Sequence, residues 1–144
     1  MIRPATINDL EAIVELELST LNTTLGIEML KNSLSNDMSY IYVLDNDGII
    51  GYISLVFDSF DVEILNFCIA KEQQNNKLGT KLLDFIINEF KSKNALSIIL
   101  EVRQSNSKAI HVYDKMGFKH IFTRTGYYSN GENALLLKLD LKGE

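Results

Sequence analysis

Apolar positions along this chain alternate between helical spacing and short continuous runs, and the changes from one to the other lay out its elements. Met1-Ile2-Arg3 predicts a short opening strand stopped by Pro4. Thr6 or Asn8 can then cap a helix whose apolar side carries Leu10, Ile13, Val14, Leu18 and Leu21. Ile27, Leu30 and Leu34 predict a second helix over 26–34, ended by the polar stretch Ser35-Asn36-Asp37. Strands are predicted over 40–44 and 49–57, with Asp45-Asn46-Asp47-Gly48 as the hairpin turn and Gly48 free to take positive φ. Gly51 inside the second strand signals a bulge or a close approach. After the turn Asp58-Ser59-Phe60-Asp61, a third strand over 62–70 completes an antiparallel meander.

The second half changes rhythm. A helix follows with Leu78, Leu82, Phe85, Ile86 and Phe90 on its inner side, closed by Lys91, Ser92, Lys93 and Asn94. The run 96–102 predicts a strand. Strand, helix and strand in this order make a crossover, so that strand should lie parallel to the one over 62–70. Ser105 or Asn106 caps a helix over 107–115 carrying Ala109, Ile110, Tyr113 and Met116 on one face, with Gly117 as its C-terminal cap. Strands over 118–125 and 133–141 flank a loop, 126–132. The predicted class is α+β: a mixed, mostly antiparallel sheet of about six or seven strands flanked by about four helices.

Bulk properties narrow the picture. A chain of 144 residues, 46% hydrophobic, with one Pro and no linker or repeat, predicts a single domain over 1–144. A formal net charge of −5 and a pI near 5.0 argue against nucleic acid as a partner and suit a basic peptide or an amine. The single cysteine, Cys68, fits a reducing compartment and reads as a packing residue inside an apolar strand. With no signal peptide and no apolar run of about 18 residues, the expectation is a cytoplasmic protein without a membrane span. His111 and His120 have no second ligand at metal spacing, so no metal site is expected.

Between the third strand and the helix after it lies Gln74-Asn75-Asn76-Lys77-Leu78-Gly79-Thr80. A strand-to-helix turn aims backbone N–H groups and a positive helix end at one point, which suits a phosphate, although such a turn can also be an ordinary connection. Glu101 sits at the C-terminal end of an apolar strand, where a low-dielectric setting would raise its pKa toward that of a useful base; a salt bridge to Arg103 is the structural alternative. Tyr113 could donate a proton or simply pack. Asn106 is an N-cap that could also reach a ligand, Glu63 is a second candidate base, and Tyr127-Tyr128 lies in a loop.

Taken together, the meander, the Q-x-x-x-x-G turn, the strand Leu100-Glu101-Val102-Arg103 and the series Ser105-Asn106, Ala109-Ile110, Tyr113, Gly117-Phe118 and Tyr127-Tyr128 resemble the GNAT-type N-acetyltransferases. Within them the pattern is most similar to the ribosomal-protein-alanine N-acetyltransferases (the RimI type), which acetylate the N-terminal amine of a small-subunit ribosomal protein. The resemblance implies acetyl-CoA as co-substrate, no metal, and direct transfer to a primary amine in a ternary complex. The backbone of Phe67, Cys68 and Ile69 would pair with the pantetheine arm. The amides of Asn75, Asn76, Lys77, Leu78, Gly79 and Thr80 would hold the pyrophosphate, and Asn106 would hydrogen-bond the cofactor. Glu101 would act as general base, and Tyr113 would protonate the departing thiolate. The acceptor would be a basic protein N-terminus, such as that of a ribosomal protein, or alternatively a small amine; a non-catalytic acyl-CoA-binding module is the alternative outside enzymes.

The chain departs from that pattern at one place. The turn usually reads Q/R-x-x-G-x-G, and Lys77 occupies the first Gly position. If that position requires positive φ, Lys77 adds strain on the order of 1–3 kcal/mol. Its side chain would either crowd the phosphate or add a cation to it.

Overall fold

The computed structural model describes residues 1–74 and 77–142. Strand β1 (Ile2–Pro4) is followed by a 3₁₀ turn (Ile7–Asp9), helices α1 (Leu10–Leu21) and α2 (Ile27–Ser35), and strands β2 (Ser39–Asp45), β3 (Ile49–Phe57) and β4 (Asp61–Ile69). A second 3₁₀ turn (Lys71–Gln73) leads into α3 (Leu78–Ser92), β5 (Ser97–Arg103), α4 (Ser107–Lys115), β6 (Lys119–Arg124) and β7 (Ala134–Asp140). The strands form one seven-stranded sheet in the order β1-β2-β3-β4-β5-β7-β6. Every neighbouring pair is antiparallel except β4 and β5, which are parallel as the crossover requires.

The pleat of the meander separates two cores. On one face Tyr42, Ile53, Leu55, Val62 and Ile64 meet Leu82, Leu83, Ile86 and Phe90 of α3. Phe90 is the hub: its ring makes edge contacts with Tyr40, Tyr42 and Phe57 at centroid distances of 5.1, 6.5 and 5.2 Å. On the other face Ile41, Val43, Tyr52 and Cys68 pack against Leu10, Ile13, Leu16 and Leu30 of α1 and α2.

Several expectations need correction. Pro4 lies within β1 rather than beyond it, opposite Tyr42 at the sheet edge, where its missing N–H costs no ladder bond. Leu18 and Leu21 are exposed, and the inner stripe of α1 runs through Leu10, Ile13, Leu16 and Glu17. Leu18 is rotated well away from that stripe, and Leu21 ends the helix before the left-handed Asn22. Glu17 is buried, accepting hydrogen bonds from the Tyr52 hydroxyl and from Thr24 Oγ1, the latter at 2.5 Å. A polar residue at an inner position breaks the apolar count, so periodicity passes over it. In α3, Leu83 is buried while Leu78 and Phe85 are half-buried.

Gly51 shows both features anticipated for it. The β2–β3 register shifts beside it, and an added Cβ would meet Ile69 Cδ1 at 2.7 Å and the Cys68 carbonyl at 3.2 Å. Gly48 takes φ 131° in the hairpin turn. Residues 133–141 alternate poorly because β7 lies between β5 and β6, with apolar side chains on both faces.

Because Phe90 joins α3 to three aromatic residues of the meander, Phe90→Ala should lower stability by about 3–5 kcal/mol. Denaturant unfolding followed by circular dichroism measures this, and a loss below about 1 kcal/mol would show that α3 is held elsewhere.

Candidate functional site

The parallel ladder between β4 and β5 covers only Asp61↔Ser97, Val62↔Ile98 and Glu63↔Ile99. Past it, β4 stays paired to β3 as far as Ile69, and β5 to β7 as far as Arg103. A register shift in β4 between its partners of Ser54 and Leu55 leaves Leu65 as an extra residue and bends the strand at the point of divergence. The two strands therefore part, and the free edge of β4 borders a cleft of about 400 Å³. Phe67 and Ile69 line it from β4, Lys77, Leu78, Gly79 and Thr80 from the start of α3, and Asn106 and Tyr113 from the α4 side.

At one end of the cleft α3 begins. Its first intrahelical bond runs from Lys81 N to Lys77 O at 3.1 Å, so the amides of Leu78, Gly79 and Thr80 precede the helical ladder and are available to an anion. Lys77 is the N-cap, at φ 62° and ψ 18°, a left-handed conformation that a side chain disfavours. The strain anticipated for a lysine here is present. Gln74 Nε2 donates to Ile69 O at 2.9 Å and ties the turn to the end of β4. Asn75 and Asn76, also expected to bind phosphate, lie outside the described residues. Gln73, Gln74, Leu83, Lys108, Ala109 and Val112 complete the lining; the sequence pattern singles out Gln74 and Ala109 but gives no reason to pick the other four.

On the α4 side sits Tyr113. Burial pushes its hydroxyl up to about 12, so it keeps its proton at neutral pH. Its ring packs 5.7 Å from that of Phe118, so the packing role and a place in the cleft coexist. Asn106 accepts from Ala109 N at 3.2 Å as the N-cap of α4 while lining the cleft. Cys68 turns its side chain to the opposite face, into the α1–α2 core, where burial pushes the thiol up. That leaves it unsuited to nucleophilic attack.

Glu101 does not line the cleft. On β5, Leu100 and Val102 face the α3 core, so Glu101 projects from the other side of the sheet, two residues past Ile99, the last residue paired to β4. Its surroundings are not the low-dielectric pocket expected: the residue is exposed, with Arg124 Nε 3.4 Å from Oε2. The Tyr128 hydroxyl donates to Oε1 at 3.4 Å. The alternative partner Arg103 pairs instead with Glu132, at 3.1 Å. Neither Arg124 nor Glu132 is legible from spacing, since Arg124 reaches the site from the end of β6 and Glu132 from the β6–β7 connection. Glu63 is exposed on the same face within the paired part of β4. His111 is exposed, and His120 bonds Thr123 at 2.8 Å. No cluster of metal-ligating side chains occurs among the described residues, and no helix there is long and apolar enough to cross a membrane.

With this geometry in hand, comparison with known proteins is informative. Residues 9–118 match the acetyltransferase (GNAT) family. An uncharacterised N-acetyltransferase of Methanocaldococcus jannaschii is 32% identical over 139 residues, 95% of this chain and 89% of the relative. The ribosomal protein bS18-alanine N-acetyltransferase of Haemophilus influenzae is 30% identical over 133 residues, 90% of each chain. The crystal structure of the ribosomal-protein-S18-alanine N-acetyltransferase from Escherichia coli superposes with a TM-score of 0.92, covering 100% of this chain and 95% of that one at 22% identity, and so shares the fold.

Replacing the strained cap tests the turn directly. Lys77→Gly should raise stability by about 1 kcal/mol, because glycine adopts φ 62° without penalty. Calorimetric melting without ligand measures it, and a lowered Tm would mean that the Lys77 side chain makes a stabilising contact.

Proposed function

We infer the acceptor and the residue roles on the premise that the chain belongs to the acetyltransferase (GNAT) family. It is an acetyl-CoA-dependent N-acetyltransferase with a mixed α+β fold. The acceptor proposed is the N-terminal α-amine of a protein, of the ribosomal-protein-alanine kind, and the reaction is placed in the cytoplasm. The relative from Haemophilus influenzae, similar over nine-tenths of both chains, supports this reading, as does the acidic balance of the chain, which favours a basic N-terminus.

The observation that carries the assignment of roles is the parting of β4 and β5 with Tyr113 on one side and Glu101 on the other. An extended pantetheine arm can complete the free edge of β4 through the backbone of Phe67, Cys68 and Ile69. The amides of Lys77, Leu78, Gly79 and Thr80 face the pyrophosphate, with Asn75 and Asn76 assigned to the same turn, and Asn106 holds the cofactor from the α4 side. The amine nitrogen attacks the thioester carbonyl carbon directly and the carbon–sulfur bond breaks. Glu101 takes the proton from the amine, and Tyr113 gives its proton to the departing thiolate. Both are general acid–base roles, each contributing about 10²–10⁴-fold.

Two measurements follow. Glu101→Gln and Tyr113→Phe should each lower turnover about 10²-fold while keeping the melting shift produced by acetyl-CoA, roughly 2.7 kcal/mol at 100 times Kd. Native turnover in Glu101→Gln would remove it as the base. A large loss of stability in Tyr113→Phe would reduce Tyr113 to packing. For the acceptor, the protein is incubated with acetyl-CoA and either an Ala-initiated basic peptide or a panel of polyamines and amino sugars, with products read by mass spectrometry. Acetylation of the peptide N-terminus is expected. Acetylation of the small amines alone would overturn the acceptor, and acetyl-CoA binding without any product would indicate a non-catalytic module.

A further inference from the structure

The β6–β7 connection folds back onto the end of β5, and one carboxylate fastens it. Glu132 Oε1 accepts from Arg103 Nη1 at 3.1 Å, and Oε2 accepts from the Ser105 amide at 2.9 Å. The Glu132 carbonyl accepts from Tyr128 N at 3.1 Å, and the Tyr128 carbonyl accepts from Gly131 N at 2.8 Å. The guanidinium of Arg103, held by Glu132, lies 3.8 Å from the centre of the Tyr128 ring. That ring carries the hydroxyl that donates to Glu101. Carboxylate, guanidinium, ring and hydroxyl thus run in unbroken contact from Glu132 to Glu101.

The chemistry gives this series a purpose. Glu101 has one guanidinium against it, that of Arg124. By alternation along β5, Arg103 projects on the same face, where a second uncompensated cation would lower the basicity of a carboxylate that must accept a proton. Glu132 neutralises Arg103 and turns it onto Tyr128. Other charges on that face are Asp61 and Glu63 on β4, opposite Ser97 and Ile99, Lys138 on β7, also opposite Ile99 and 3.8 Å from Asp140, and Lys119 on β6, opposite Lys138. Glu17 on α1 is buried against Tyr52. The Ser105 and Arg103 hydrogen bonds hold the Glu132 carboxyl down at about 2, so it stays charged throughout the working range, and burial together with Glu101 raises the Tyr128 hydroxyl, so it stays a donor.

We propose that Glu132 is a positioning residue for acetyl transfer: through Arg103 and Tyr128 it sets the basicity and direction of Glu101. The inference rests on the assignment of Glu101 as base. It is tested with the full chain, acetyl-CoA and an Ala-initiated basic peptide, by following kcat/KM against pH. Glu132→Gln keeps an acceptor for the Ser105 amide, so folding is retained, but it leaves Arg103 uncompensated. The acid limb should then move down, because an uncompensated cation on that face favours the charged carboxylate, and kcat should fall several-fold. The melting shift with acetyl-CoA should not change, because Glu132 does not line the cleft. Glu132→Asp should restore much of kcat, and adding Arg103→Met to Glu132→Gln should return the acid limb to its native position. An unmoved limb in Glu132→Gln, or a moved limb that Arg103→Met fails to return, would overturn the proposal and leave Glu132 as a loop fastener. Glu101→Gln run beside these variants separates the two readings. If it keeps native turnover and the native limb, the base assignment has failed. If it loses both while Glu132→Gln is unaffected, only the present inference has failed.

Discussion

Two parallel strands that stop pairing after three residues are the constraint on which the site depends. A sheet normally continues its ladder, since unpaired backbone groups away from water are costly. Here β4 is committed to β3 and β5 to β7, so each has a neighbour on its outer side while the inner edges separate. The extra residue at Leu65 bends β4 where the separation begins. The aromatic cluster around Phe90 then holds α3 against the meander, so the start of the helix stays at one end of the gap.

The gap leaves the two sides of the sheet with different chemistry. Toward α3 and α4 lie a helix start, a strand edge and a half-buried, protonated tyrosine. Toward α1 and α2 lies an exposed carboxylate among guanidinium and phenol groups. The partial burial of Tyr113 and the exposure of Glu101 reflect the two faces of the sheet. Tyr113 comes off the helix packed on one face, and Glu101 is the residue of β5 that the pleat turns to the other.

Much of this could be read from the chain. The bounds 49–57 and 107–115 were legible because turn residues and capping residues bracket clear apolar patterns. Asn106 was legible as a cap because a short amide before a helical run has few other uses. The positive φ at Lys77 could be anticipated only as a condition, from the glycine usual at that position. The divergence of β4 and β5 could not be read, since a bulge shifts register without altering composition. Nor could the inner position of Glu17, the partners of Glu101 or the role of Glu132. Each depends on contacts between residues remote in sequence, such as Glu17 with Tyr52 or Arg103 with Glu132, that no local spacing encodes.

A sheet opened through its middle has two mouths. Under the proposed roles, the donor that completes the edge of β4 would occupy the α3–α4 side, while an amine approaching Glu101 would come from the α1–α2 side. The spent coenzyme and the acetylated product would then leave by separate doors. Free coenzyme A should compete with fresh donor and not with the acceptor. A tightly held product on one side need not delay exchange on the other, so turnover can be limited by either exit independently.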